Sequence, residues 1–503
     1  MNNLPPNHFL NLHRPDVFAP ILAGTPDTST LAAHDFDVDT RTGFMPPQPP
    51  LTRLPDPWLP WEAALDDAIA RRLQLAERPR LSAEDEKASE AWRHSIREVP
   101  ILPTDDLKSS ELLLRRAHHV LAWIMHFYVH TTPTATREIH IPPPITVPLL
   151  QVCAQLQLPP VLTYSDDVLY NWAFKTPPAS DVLFDPKAEL HNLRCLTLFT
   201  GTRDEEEFYL SSARIELRGV EALSLMRAIM DEAFVGDAIA RTRITSYLRL
   251  LATVINDMQV LLAAVREGCD PAVFYHEIRP WFKGADSDTS GRKWVFDGLE
   301  LDPTLEAPTE LSGPSAGQSS LIHALDIFLG VDKYSHSNFS QFHARSNPPP
   351  APAASSGSVS AAEPVAGEAP AWTAAFSSAP ATPTVPFLTR MQLYMPRHHR
   401  AFLRHLQASP RPLRELVEQA GCDALTEAYD GAVTALKEFR DEHVRVVALY
   451  ILIPSRQAHN TKGSGRGQSE GAPKGTGGTD AFQFVKGVRD QTAGALLRRS
   501  GHS

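Results

Sequence analysis

Ala435–Pro454 reads ALKEFRDEHVRVVALYILIP, and the rest of the chain is organised around how this stretch is understood. At helical spacing Leu436, Phe439, Val446, Val447 and Tyr450 form one apolar stripe, with His443 in its middle. An imidazole buried in such a stripe needs a partner, because leaving it unsatisfied costs on the order of a few kcal/mol. Two readings compete. In one, His443 is a core histidine bonded to a neighbouring carbonyl. In the other, its neutral ring donates a lone pair to a buried metal. The helix taken alone favours the first.

Composition narrows the field. A chain of 503 residues suggests roughly two to four domains of ~150 residues each, fewer if one is large. A hydrophobic share of 43% supplies sizeable cores, and a formal net charge of −11 argues against nucleic acid as a partner, since phosphate binding calls for a basic face. Cys153, Cys195, Cys269 and Cys422 are far apart with no CxxC pair, which fits a reducing compartment rather than a disulfide framework or zinc knuckle. The N-terminus shows no basic run followed by an apolar core, so no secretory signal is read there. Val120–Val129, the most apolar run, is about half the ~20 residues that span a bilayer. The expectation is a soluble, cytoplasmic protein without a membrane partner.

Residues 1–60 carry clusters such as MPPQPP and LPDPWLP and read as an extended wrap. Helix begins near Pro60 with WEAALDDAIARRLQLAE, and a second strong helix is predicted from about Asp105 to His130. That helix carries His118, His119, His126 and His130. The last two have the i, i+4 spacing of metal ligands, but no glutamate lies between them and no third ligand follows. A packing helix with histidines at its rim is the better reading. Proline pairs separate short helices over residues 140–172. The acidic run from Asp204 precedes FYLSSARIEL, as suits the positive end of a helix, and helical patterns continue to about Glu267. Another helix is expected over Val273–Phe282, broken at Pro280, which biases Arg279 away from helical geometry. Residues 346–386 are low-complexity Pro, Ala and Ser and read as a disordered insert. Helix resumes at Phe387, a glycine-rich segment at 462–479 reads as mobile, and a last helix spans about Asp480–Arg499.

Two motifs mislead. Gly313–Gly317, GPSAG, satisfies the GxSxG pattern of a nucleophile elbow, but the preceding DPTLEAPTELS cannot supply the strand that such an elbow requires. A serine hydrolase is therefore disfavoured. GTGGTD at Gly475–Asp480 lacks the spacing and the lysine of a phosphate loop, and its glycines suit a closing lid instead.

Taken together, LTYSDDVLYNW, EEEFYLSSARIEL, FYHEIRPWF, SGPSAGQSSLIHALDIFLG, MQLYMPRHHRAFL, FRDEHVRVVALYILIP and KGTGGTD resemble the indoleamine 2,3-dioxygenases, fungal members more than animal ones. They stand in that family's order from about residue 140 to 490. The resemblance implies a mainly α fold: a small, irregular N-terminal domain over 1–198 and a large all-helical haem domain over 199–503. It implies a monomer that binds haem b, ferrous for O2, and cleaves the indole C2–C3 bond of L-tryptophan to N-formylkynurenine, with an electron donor keeping the iron reduced.

The site residues carry over one at a time. His443 matches the proximal iron ligand, which reverses the preference stated for the helix alone. Arg440 and Asp326 match an arginine–aspartate pair beside the haem. Tyr164 and Val168 match a pocket wall, and Phe208 and Ser212 match the pocket's phenylalanine and serine. Phe274 matches the aromatic over the indole, Arg279 the grip on the substrate carboxylate, Ser315 and Ala316 the loop beside the haem, and Thr476 the closing loop. The chemistry agrees: triplet O2 and singlet indole react only when a metal removes the spin barrier. A planar guanidinium also orients a carboxylate better than lysine does. Without the resemblance, Arg279 would read as a cap on a broken helix, Ser212 as an ordinary helix serine, and Phe208 and Phe274 as core. One departure is chemical: Asp167 stands where some members have a pocket cysteine, which alters the polarity of the pocket floor. The rival reading from another class is a haem-binding sensor or signalling scaffold with feeble turnover.

Overall fold

The computed structural model describes residues 36–176, 189–288, 290–334, 387–461, 475 and 481–497. The expectations for 346–386, for 462–479 apart from Gly475, and for the first 35 residues of the N-terminal wrap lie outside the described residues.

The fold is mainly α, as the periodicity predicts. Residues 36–58 form bends and one 3-10 turn, Asp56–Trp58. Then come α1 (Leu59–Ala70), α2 (Ala83–Arg97), α3 (Glu111–His130) and α4 (Pro143–Leu156). The expected helix from Asp105 is split. Ser110 is extended (φ −145°) and its side chain accepts from the Leu113 amide, so it caps α3 and leaves Asp105–Ser109 as a separate 3-10 turn. Two small sheets are interspersed among the helices: β1 (Glu138–Ile141) pairs in parallel with β4 (Lys293–Phe296), and β2 (Trp172–Phe174) antiparallel with β3 (Leu193–Cys195).

The later helices are α5 (Arg203–Val235), α6 (Ala238–Ala263), α7 (Ser320–Phe328), α8 (Arg397–Gln407), α9 (Leu413–Ala420), α10 (Asp423–Val447), α11 (Ile453–Thr461) and α12 (Ala481–Gly494). Thr202 caps α5 from the Glu205 amide, with Asp204, Glu205 and Glu206 in the first turn where the helix dipole favours them. Gly236 (φ 73°) ends α5 in the left-handed region and lets the chain reverse into α6.

Two apolar cores form. One gathers Trp61, Trp92, Trp123, Phe127, Phe199 and Trp281, and includes Tyr209 of α5. The other is the seam of α6 and α10, with Leu248, Leu251 and Ile255 packed with Leu425, Tyr429 and Leu436. Ala238–Gly268 is long and apolar enough to cross a membrane by length and composition. Its buried face belongs to this second core.

Three observations correct the sequence expectations. Three of the α3 histidines, His118, His119 and His126, are fully buried rather than at a rim. Arg279 is helical (φ −53°, ψ −36°), not displaced by Pro280. The proline stands in the first turn of a 3-10 segment, Arg279–Phe282, where no amide donor is needed. The Arg279 amide closes the preceding π-turn on the Phe274 carbonyl, which holds Arg279 in the α region despite the proline. Thirdly, the helical stretches around the site contain π-helical turns at Ser165–Leu169, Phe274–Ile278 and Ala448–Leu452, which the periodicity does not indicate.

Backbone meets backbone at one point beside the site. A Cβ on Gly313 would lie 1.8 Å from the Phe282 carbonyl oxygen, and one on Gly284 2.0 Å from that of Leu311. Neither obstacle is a flexible side chain, so the segments 282–284 and 311–313 must separate if either glycine is replaced. Gly313→Ala is expected to lower the urea midpoint by the equivalent of about 2 kcal/mol or more. An unchanged midpoint would show that this contact is not required.

Candidate active site

The three π-turns meet at one cavity. Val168 and Asp167 come from the first, Phe274 from the second, and Tyr450 and Ile451 from the third. A π-turn inserts a residue into the helical register and so re-aims the side chains around it. Helices α5 and α10 complete the walls with Phe208, Ser212, His443 and Val446, and the loop Pro314–Gly317 closes one side. The cavity leaves about 170 Å³ for the centres of water-sized molecules.

His443 lines this cavity, and among the described residues neither of its ring nitrogens has a hydrogen-bond partner. Burial, with the Arg440 charge second, pushes its pKa down to about 4. At neutral pH the ring is therefore uncharged, with a free lone pair, which is the state a metal ligand must have. Apolar neighbours on the same helix, Val446 and Val447, flank it. These residues fit a haem held through His443. Arg440 and Asp326 form a buried pair, Nη2–Oδ2 2.6 Å, and Arg440 also bonds Thr492. The pair ties α10 to α7 and α12 behind His443 rather than lining the cavity.

Much of the remaining lining is aromatic. Phe208 and Phe274 lie 4.4 Å apart between ring centroids, and Tyr450 stands edge-on to Phe274 at 5.5 Å. Tyr450 is itself fixed by donating to the Cys269 carbonyl at 2.6 Å. Arg279 opens onto the cavity with its guanidinium 5.5 Å from the Tyr275 ring centre, and burial lowers its pKa from the usual arginine value. Tyr164, Val168, Phe208, Ser212, Phe274, Arg279, Ser315, Ala316 and His443 are thus brought together around one space. Thr476 lies outside the described residues, although its neighbour Gly475 lines the cavity.

Several residues that hold this arrangement were not identified from the sequence. Glu216, one helical turn beyond Ser212, accepts through Oε1 from the Tyr164 hydroxyl at 2.9 Å and the Ser319 hydroxyl at 2.6 Å. Gln318 accepts from the Tyr164 amide at 2.8 Å and donates to the Gly313 carbonyl at 2.9 Å. The signal for Glu216 was available: the spacing of Phe208 and Ser212, extended by four, lands on it. The α3 histidines pin the first π-turn. His126 Nε2 accepts from the Leu162 amide at 3.1 Å, so Nδ1 must donate to the Trp281 carbonyl at 2.8 Å. His118 Nδ1 meets Asp166 Oδ1 at 2.8 Å, and Asp166 Oδ2 accepts from the Thr163 amide and hydroxyl. Burial opposes both charges, yet their mutual attraction prevails, raising the His118 pKa and lowering that of Asp166. His126 and His130 are spoken for by carbonyls, and no metal-binding cluster of His, Cys, Asp or Glu occurs among the described residues. GPSAG is no nucleophile elbow. No strand leads into Ser315, whose hydroxyl accepts from the Gly317 amide at 3.2 Å to cap a 3-10 turn.

A helical protein enclosing an aromatic cavity, with one neutral imidazole and one arginine on its walls, has the build of an enzyme for a flat, acidic small molecule. The chain belongs to the indoleamine 2,3-dioxygenase family, whose sequence model matches residues 32–495. It is similar to indoleamine 2,3-dioxygenase of Saccharomyces cerevisiae, 32% identical over 481 residues, covering 90% of this chain and 91% of that one. It is also similar to indoleamine 2,3-dioxygenase 1 of Rattus norvegicus, 29% identical over 465 residues, covering 92% and 95%. A 6-hydroxytryptophan 2,3-dioxygenase of Fusarium equiseti is 27% identical over 481 residues, covering 93% and 99%. The protein is accordingly an oxidoreductase of the dioxygenase class.

Glu216 carries a pH signature. Burial raises its pKa from 4.5 to about 7, the bonds from Ser319 and Tyr164 offsetting part of the shift. Between those values the folded protein keeps a proton that the unfolded chain has released, so this contribution is intact below about 4.5 and lost as pH rises through about 7. Glu216→Gln keeps Oε1 and cannot ionise. Its stability relative to the unsubstituted protein should improve by roughly 3 kcal/mol from pH 4.5 to pH 8. Urea titrations at both pH values test this, and a pH-independent difference would remove Glu216 as the titrating group.

Proposed function

We propose that this protein is a haem-dependent dioxygenase that opens the indole C2–C3 bond of L-tryptophan with O2, giving N-formylkynurenine. The observation that carries the reading is the neutral, unpartnered His443 imidazole on the wall of an aromatic cavity that also holds Arg279. Family membership and the names of the yeast and rat relatives support it. The name of the Fusarium relative leaves ring substitution of the substrate open. The same reading carries a monomer in the cytoplasm, served by an electron donor.

His443 would hold the haem iron, with Val446, Val447 and the Ser315–Ala316 loop around it. When bound, the haem supplies the iron chemistry that overcomes the spin mismatch between O2 and indole. The remaining work falls to the chain. Phe208, Phe274 and Tyr164 would pack against the flat ring and keep water away. Arg279 would fix the carboxylate through two parallel hydrogen bonds. Glu216 stands behind Tyr164, and burial together with the Asp166 and Glu205 charges keeps the Asp167 carboxyl well above the usual carboxylate range. The raised pKa of each acid reduces the negative charge near the substrate carboxylate, and Ser212 is left as a small hydroxyl beside the ring.

The test is to purify the protein with haem, record the Soret band, and follow kynurenine formation from L-tryptophan under reducing conditions. A Soret band without turnover at any tryptophan concentration would favour a sensor or scaffold; no Soret band would sink the haem reading. His443→Ala is expected to lose the haem spectrum, and a normal spectrum would refute the ligand assignment. Arg279→Ala is expected to keep haem but lose on the order of 10- to 100-fold in kcat/KM, mostly through KM. An unchanged kcat/KM would take Arg279 out of the site.

A further inference from the structure

Asp167 lines the cavity and has no task in the reaction just described. It lies between Tyr164 and Val168 on the first π-turn, and only 5% of its surface is exposed. Among the described residues neither carboxyl oxygen has a hydrogen-bond partner; Oδ1 is sealed from solvent, and Oδ2, which is not, is the oxygen that an occupant of the cavity can reach. The charged groups that act on it are acids, Asp166 on its own turn and Glu205 on α5. No cation is among the groups that shift it. Burial and these acids disfavour the ionised form, and the protonated carboxyl they favour can donate one hydrogen bond and accept others.

Unpaired buried polar groups are rare because they are unfavourable, and one that borders a cavity is satisfied by whatever enters it. The protein supplies no partner: Val168, Phe208 and Phe282 on the cavity wall are apolar, and the Tyr209 hydroxyl, near enough to feel the Asp167 charge, donates to Glu205 at 3.2 Å instead. The incoming ring has a single polar atom, the N–H next to the reacting carbons. If Arg279 holds the carboxylate and the C2–C3 bond is presented towards His443, the carbocyclic edge is left to reach the turn that carries Asp167. An unsubstituted indole brings no hydrogen-bonding group to that edge.

We propose that Asp167 is a specificity residue that selects tryptophans bearing a hydroxyl on the carbocyclic ring, by hydrogen-bonding that hydroxyl. The inference rests on the dioxygenase reading above. Should an ordered water satisfy the acid in the free protein, the substrate hydroxyl takes that water's place and reproduces its bonds.

The test compares kcat/KM of the haem-loaded protein for L-tryptophan, 5-hydroxy-L-tryptophan and 6-hydroxy-L-tryptophan. At least one hydroxylated substrate should exceed L-tryptophan by about tenfold, the scale of one well-placed buried hydrogen bond. In Asp167→Val that ratio should fall to about one or below, whereas Asp167→Asn, which keeps a donor and an acceptor, should retain most of it. If L-tryptophan exceeds both hydroxylated substrates in the unsubstituted protein, the inference is overturned without any variant. A ratio that Asp167→Val leaves unchanged overturns it as well. A third contrary result is that 1-methyl-L-tryptophan is disfavoured in the unsubstituted protein but no longer in Asp167→Val, which would assign the acid to the indole N–H. Absence of turnover with every substrate defeats the dioxygenase reading itself, whereas turnover of L-tryptophan with no dependence on residue 167 defeats only the specificity role.

Discussion

One carboxyl oxygen, Glu216 Oε1, receives the Tyr164 hydroxyl from one wall of the cavity and the Ser319 hydroxyl from the loop on another, while α5 holds the acid between them. Tyr164 and Ser319 are 155 positions apart, so nothing local in the chain brings them together. Gln318 repeats the link through the Tyr164 amide and the Gly313 carbonyl. In a low-dielectric interior such a network is strong when satisfied and costly when broken, which makes the spacing of these walls definite. Glu216 Oε2 remains unpartnered and buried, consistent with a group that retains its proton to about pH 7.

The second constraint is the irregularity of the helices themselves. Each of the three π-turns at the cavity is anchored by a polar contact made just before it or within it. Leu162 and Asp166 are held by His126 and His118 of α3, and Asp270 caps the turn before Phe274 by accepting the Ala272 and Val273 amides. Tyr450 donates to the Cys269 carbonyl. π-geometry is disfavoured in an isolated helix and survives where tertiary contacts over-determine it. Here those contacts also aim Val168, Phe274 and Tyr450 into a common space.

Much of the helical architecture was legible because its causes are local: a capping threonine and acids open α5, and the apolar stripes of α6 and α10 face each other. The site was legible mainly as an ensemble of distant motifs. What escaped was non-local. The i, i+4 spacing of His126 and His130 is equally that of two ligands or of two hydrogen-bonding core residues. Only the carbonyls of Trp281 and Lys283, more than 150 residues downstream, decide between them. The geometry of Arg279 was misjudged for a related reason. The steric rule before proline is a preference, and the preceding π-turn and following 3-10 turn override it. Glu216 was missed although its spacing was visible, because a glutamate in an apolar face reads as helix surface until its two hydroxyl partners are known.

His443 shows how partner bookkeeping discriminates where a stripe of apolar residues cannot. A histidine placed in a core for structural reasons finds a hydrogen bond, and His118, His119, His126, His323 and His399, the fully buried ones described, each have at least one. His443 differs: its ring borders the cavity, it is kept neutral, and no described residue meets either nitrogen. The bland reading required a neighbouring carbonyl, and in a helix interior the carbonyls are already committed to the i→i−4 ladder. With that supply closed, the ring's acceptor is left to whatever fills the cavity, and this is the ground on which the proposed ligation of iron rests.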